Sequence, residues 1–142
     1  MSIGGFQKPD QEMLDLLQRE TFSYFSTEVN LRNGLVRDKT DVHWPCNIAV
    51  QGLAFACYIV GIERGYWSRE QAVDRTLAAL RFFRDSPQGP ERDSTGYRGF
   101  YYHFLDMETG RRVWECELST GDTAFLIAGM LAAAQYFKQD DE

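Results

Sequence analysis

Cysteine is scarce and unpatterned. Cys46, Cys57 and Cys116 are odd in number and stand at no CxxC spacing, so neither a zinc motif nor a disulfide framework organises the chain. Histidine is scarcer, with His43 and His103 only, and His43 has no second His or Cys at ligand spacing. No metal or other cofactor is therefore expected. Positive charge is also short. Fifteen Lys and Arg stand against 21 Asp and Glu, a net charge of −6, which argues against a nucleic-acid partner because phosphate binding needs a basic surface. The uncharged apolar run at residues 48–62 falls short of the roughly 20 residues of a membrane span. Residues 1–9 lack a basic stretch followed by an apolar core and do not read as a signal peptide. An exported parent would carry its signal outside this chain.

What the chain does have is aromatic side chains, 14% of 142 residues, and helical periodicity. The length suits one domain. Residues 10–29 predict a helix with negative charge at its start and an apolar stripe of Met13, Leu14, Leu17, Thr21, Tyr24 and Phe25. Residues 48–62 predict a helix apolar on nearly all sides, closed by Gly65. Ser68-Arg-Glu-Gln71 is a capping box that starts a third, two-faced helix. Ser119, with Asp122 three residues on, caps a fourth, again uncharged from 123 to 137. Cys57 lies in an apolar run and is expected in the core.

Two segments between the helices hold the chemistry. Residues 30–47 are irregular, with Asp38, Asp41, His43 and Trp44 close together: a solvated loop, or the acidic and aromatic rim of a pocket. Residues 97–106, Tyr-Arg-Gly-Phe-Tyr-Tyr-His-Phe-Leu-Asp, favour a strand. With a turn at 107–110 and a return over 111–116, they predict a β-hairpin. On it, Phe100, Tyr102 and Phe104 would share one face, and Tyr101, His103 and Leu105 the other.

The helices alternate in character, two-faced then apolar. Gly52-Leu-Ala-Phe-Ala56 and Gly129-Met-Leu-Ala-Ala133 look alike, 77 residues apart, as expected for a repeated hairpin of one outer and one inner helix. Two hairpins cannot surround two all-apolar helices. The chain is therefore expected either to self-associate through its exposed inner helices or to form part of a larger closed array.

Glu-Arg-Gly at 63–65, Pro-Gln-Gly-Pro at 87–90, Gly-Tyr-Arg-Gly-Phe-Tyr-Tyr-His-Phe-Leu-Asp at 96–106, Thr-Gly-Arg-Arg at 109–112 and Glu-Leu-Ser-Thr-Gly-Asp-Thr-Ala at 117–124 resemble the glycoamylase-like family of glycoside hydrolases. Leu-Leu-Gln-Arg-Glu-Thr-Phe at 16–22 and Gly-Leu-Val-Arg-Asp at 34–38 fit as well. The resemblance implies a mainly α fold: two helical hairpins of an (α/α)6 toroid, with a β-hairpin inserted between the third and fourth helices. On this reading residues 1–142 are a single partial domain, the N-terminal third of the toroid. The family includes enzymes acting on β-1,2-linked glucans and a domain of cyclic β-1,2-glucan synthases. A departure is Gly121, where the resemblance implies a larger apolar residue.

Glycoside hydrolysis needs two carboxyl groups flanking the scissile bond. By the resemblance, Glu117, just ahead of an inner helix, is the general acid, and nearby Tyr and Trp surfaces are expected to raise its pKa. Asp122 is first a helix cap and second a partner for Glu117 or for a sugar hydroxyl. Trp44, Tyr101, Tyr102, His103 and Trp114 could stack on sugar rings or bond hydroxyls of a β-glucan. The second carboxylate is Asp38, Asp41 or a residue outside this chain. The alternative is a non-catalytic helical module that binds carbohydrate or protein.

Overall fold

The structure, a computed structural model, describes residues 8–138. It is mainly helical: α1 (Lys8–Thr27), α2 (Ile48–Glu63), α3 (Arg69–Asp85) and α4 (Thr120–Tyr136). Each boundary has a local cause. Asn47 caps α2, its side-chain oxygen accepting from Ala49 N at 2.8 Å and Val50 N at 3.4 Å. Gly65, at φ +68°, closes α2 in a Schellman arrangement, with its N–H on Ile62 O and that of Tyr66 on Gly61 O. The Ser68–Gln71 capping box is complete. Ser119 caps α4 by accepting from Asp122 N at 3.1 Å. Among the described residues, no helix is long and apolar enough to cross a membrane.

The core lies between α2, α3 and α4 and includes Phe55, Tyr58, Ala79, Phe83, Leu126 and Ala133. The two look-alike segments meet face to face: a Cβ on Gly129 would stand 2.0 Å from Gly52 O, and one on Gly52 would stand 2.2 Å from Phe125 O. Glycine lets the two inner helices touch backbone to backbone. Their far sides remain open, with Leu53 53%, Phe125 58% and Leu131 66% exposed, the uncovered apolar surface that the patterning predicts.

Three expectations need correction. The stripe of α1 is half-buried at Tyr24 and Phe25 alone, and Met13 and Leu17 are exposed. The residue that anchors α1 is Phe22, outside the stripe, which packs on Tyr66 and Trp67 and over the bare backbone of Gly61. The core thiol is Cys46, while Cys57 is only half-buried.

The third correction concerns the β structure, which is not one hairpin over 97–116. Strand β2 (Gly96–Tyr97) pairs with β3 (Phe100–Tyr102) through a tight turn at Arg98-Gly99. The chain breaks at His103 and resumes as β4 (Phe104–Leu105). β3 pairs antiparallel with β5 (Leu118–Ser119), and β4 pairs antiparallel with β1 (Cys46–Asn47). Residues 111–116 contribute one isolated bridge, Leu105 with Arg112, instead of a strand. The reason lies in what each strand leads into: β1 runs directly into α2 and β5 directly into α4. Residues 100–105 therefore tie together the N-termini of the two inner helices, with His103 at the crossing. Its N–H bonds Glu117 O at 3.1 Å and its carbonyl accepts from Ile48 N at 3.2 Å.

Candidate active site

The crossing brings Glu117, His103 and Asp122 together. His103 Nδ1 lies 2.8 Å from Glu117 Oε1, and His103 Nε2 lies 3.5 Å from Asp122 Oδ2. Asp122 Oδ2 also accepts from Ser119 Oγ at 2.6 Å, so the cap of α4 is itself part of the cluster. The ring stacks on Phe104 at 3.9 Å between centroids. Among the described residues this is the one group of His, Cys, Asp and Glu side chains that could hold a metal ion, its ligand atoms lying within 4.8 Å of one another. Here the imidazole already lies between the two carboxylates, so the donors serve one another.

The Glu117 side chain is 66% exposed. Its own backbone N–H and the His103 ring hold its carboxyl below the usual glutamate range. The expected upward shift is absent because the aromatic surfaces face elsewhere. Trp114 packs on Trp44 at 4.9 Å and on Phe104 at 5.2 Å, leaving the carboxylate in water.

Backbone strain lies immediately upstream. Trp114 and Glu115 both adopt left-handed φ, +56° and +54°, a conformation costing about 1–2 kcal/mol for each non-glycine residue. Arg112 holds this turn, with Nε 2.6 Å from Cys116 O and Nη2 2.6 Å from Glu115 O. Arg92 pairs with the Glu115 carboxylate. The guanidinium of Arg112 also lies 4.3 Å over the Tyr102 ring. Two left-handed residues clamped by one arginine orient the segment that presents Glu117.

The other sequence candidates divide. Trp44 and Trp114 form an aromatic wall, with Lys39 Nζ 3.1 Å from the centre of the Trp44 ring and Trp44 Nε1 donating to Asp38 Oδ2 at 3.2 Å. They line a shallow depression of about 320 Å³ together with Arg37, His43 and Asp106. Asp41 is exposed and folds its own loop, accepting from His43 N at 3.0 Å. Tyr101 turns away from the cluster. Its hydroxyl donates to Phe83 O at 3.1 Å and its ring meets Phe83 edge-on, so core packing against α3 accounts for it.

Sequence reading missed Asn47 and Arg112 as site residues. Asn47 was legible as a cap, because Asn directly before an apolar helical run is a start signal. Arg112 stands in the matched Thr-Gly-Arg-Arg stretch, but its role gave no signal, since its partners near the turn are the backbone carbonyls of Glu115 and Cys116.

No family model matches the chain. It is 29% identical, over its whole length, to an exo β-1,2-glucooligosaccharide sophorohydrolase (non-reducing end) from Parabacteroides distasonis, of which it covers 19%. Among solved structures, a candidate glucoamylase from Bacteroides uniformis is 32% identical at a TM-score of 0.78, over 97% of this chain and 33% of that one. An endo-β-1,2-glucanase from Chitinophaga pinensis, solved with sophorotriose and glucose, is 26% identical at 0.77, over 93% of this chain and 32% of that one. The chain thus resembles glucoamylase-like and β-1,2-glucan-acting glycoside hydrolases nearly end to end. It spans about a third of the length of these solved relatives.

Proposed function

We propose that this chain is a segment of a glycoside hydrolase that acts on β-glucan by two-carboxylate acid/base hydrolysis, with Glu117 as its general acid. The observation that carries the proposal is the end-to-end likeness to β-1,2-glucan-acting enzymes, together with a carboxylate held by a strained, clamped turn at the mouth of an inner helix. The architecture that suits it is two hairpins of an (α/α)6 toroid. The open apolar faces of α2 and α4 and the one-third coverage of the solved relatives support that view.

Glu117 is ionised and solvated in the chain by itself. An acid role requires the remaining wall of the toroid to cover the carboxyl and raise its pKa. That wall would also supply the second carboxylate: Asp122 shares one cluster with Glu117, and Asp38 is engaged by Trp44. Trp44 and Trp114 would offer ring faces to the apolar side of a pyranose.

The test is hydrolysis of β-1,2-glucan by the full-length parent and by its Glu117→Gln variant. Loss of about 10²-fold or more in kcat is expected. A parent that keeps full activity with Gln at 117 removes the acid assignment. A monodisperse 142-residue protein with cooperative melting and little hydrophobic-dye binding favours the alternative, a non-catalytic module complete at this length.

A further inference from the structure

The cap of α2 reaches the cluster as well. Asn47 Nδ2 stands 3.2 Å from His103 Nε2. Its amide cannot be turned around, because Oδ1 is committed to the backbone N–H groups of Ala49 and Val50 at the helix start. The nitrogen facing His103 is therefore a donor. Two donors cannot face each other, so Nε2 must present a lone pair. The ring hydrogen then resides on Nδ1, the nitrogen 2.8 Å from Glu117 Oε1.

We propose that Asn47 is a positioning residue for Glu117: the amide that caps α2 fixes the tautomer of His103, so that the ring donates its Nδ1 hydrogen to the Glu117 carboxylate. The wire runs from the cap of one inner helix, through the imidazole, to the acid at the start of the other. Of the polar groups around the ring, only the Asp122 carboxylate favours a hydrogen on Nε2, and it is farther from that nitrogen than Asn47 Nδ2. Glu117 accepts from Nδ1. Asp122 lies beyond Nε2 at 3.5 Å, its Oδ2 already accepting from Ser119. Phe104 covers a face of the ring and has no charge. Arg112 contributes a positive charge felt by Glu117. The role of the wire in catalysis rests on the glycoside-hydrolase reading, whereas its existence does not.

Asn47→Asp separates cap from donor. Asp caps a helix as well as Asn does, but it turns an acceptor toward Nε2. Nitrogen-15 NMR of histidine-labelled chain reads the ring directly, with His43 as the exposed internal reference and His43→Gln giving the assignment. In the wild type at pH 7, Nδ1 of His103 is expected to carry the hydrogen and Nε2 to be bare. In the Asn47→Asp variant Nε2 becomes protonated as well, and the ring turns cationic. In Asn47→Ser, which caps but presents no amide, the tautomers mix. A bare Nδ1 in the wild type overturns the proposal, and that spectrum needs no variant to fold. An unchanged ring in Asn47→Asp overturns it too.

In the full-length parent, Asn47→Asp is expected to lower kcat about tenfold or more, with KM little changed. The alkaline limb of the pH profile should move to lower pH, because a cationic ring holds Glu117 more firmly ionised. A parent without β-glucan hydrolysis, in a protein whose ring gains its Nε2 hydrogen as described, defeats the hydrolase reading and leaves the wire intact. A protonated Nε2 with an unmoved pH profile removes Asn47 from the positioning role.

Discussion

The contact between Gly52 and Gly129 sets the distance between the two inner helices, and Gly129→Ala tests it. The added methyl would sit 2.0 Å from Gly52 O, a backbone atom that cannot rotate aside. The helices must part by about 1 Å to bring that contact to the 3.0 Å floor of real Cβ contacts. A radial gap of 0.5–1 Å forfeits roughly a quarter to a half of the dispersion energy between facing atoms. Leu126 and Ala133, buried on the same helix, lose contacts accordingly. Overpacking of this kind costs about 1–3 kcal/mol, sometimes more. The gain from replacing a mid-helix glycine returns only about 1 kcal/mol. The expected outcome is net destabilisation of up to about 2 kcal/mol, read as a lower urea midpoint at unchanged m-value.

Gly121→Ala is the matched control. It lies in the same helix and undergoes the same change, but nothing stands within 4 Å of its added methyl. It should stabilise by up to about 1 kcal/mol. If Gly129→Ala is as stable as Gly121→Ala, the backbone-contact argument is refuted.

Two further outcomes follow from the site. Ser119→Ala removes the cap of α4 and the hydroxyl that donates to Asp122. A loss of about 1 kcal/mol is expected by denaturant titration, and an unchanged midpoint contradicts the capping role. Carbon-13 NMR of the Glu117 carboxyl should show a titration midpoint below that of an ordinary glutamate, and His103→Ala should raise it. The sign follows from linkage. A depressed folded-state pKa gives a stabilising contribution that is complete above the unfolded value and lost as pH falls through the folded one. The window is therefore acidic, below about pH 4.3. A midpoint at or above the ordinary value refutes the bonds assigned to Glu117.

Several features were legible because they depend on neighbours in the chain. A helix start needs a short polar side chain before the run and a helix stop favours glycine just after it, so Ser68, Ser119 and Gly65 were found at their observed positions. An all-apolar helix announces burial from its composition, so α2 and α4 stood out. The look-alike glycines at 52 and 129, read as a candidate repeat, are where α2 and α4 touch. Residue types and motif likeness brought Glu117, His103 and Asp122 forward as candidates.

What tertiary structure decided was which of those groups meet. A strand-favouring run reads the same whether it folds back on itself or splits between two partners. Here the choice fell to β1 and β5, which are two residues each and carry almost no signal of their own. Once residues 100–105 tie the starts of α2 and α4 together, His103 falls between Asn47 and Glu117. Tyr101 turns into the core, and Trp114 leaves Glu117 for Trp44. The charge on Glu117 follows from that geometry, because hydrogen bonds and solvent exposure act through space and have no period along the chain. The sequence by itself determined the helices, their caps and the acids on offer. The site was determined by two short pairings between segments distant in the chain, Asn47 with Phe104 on one side of the crossing and Tyr102 with Leu118 on the other.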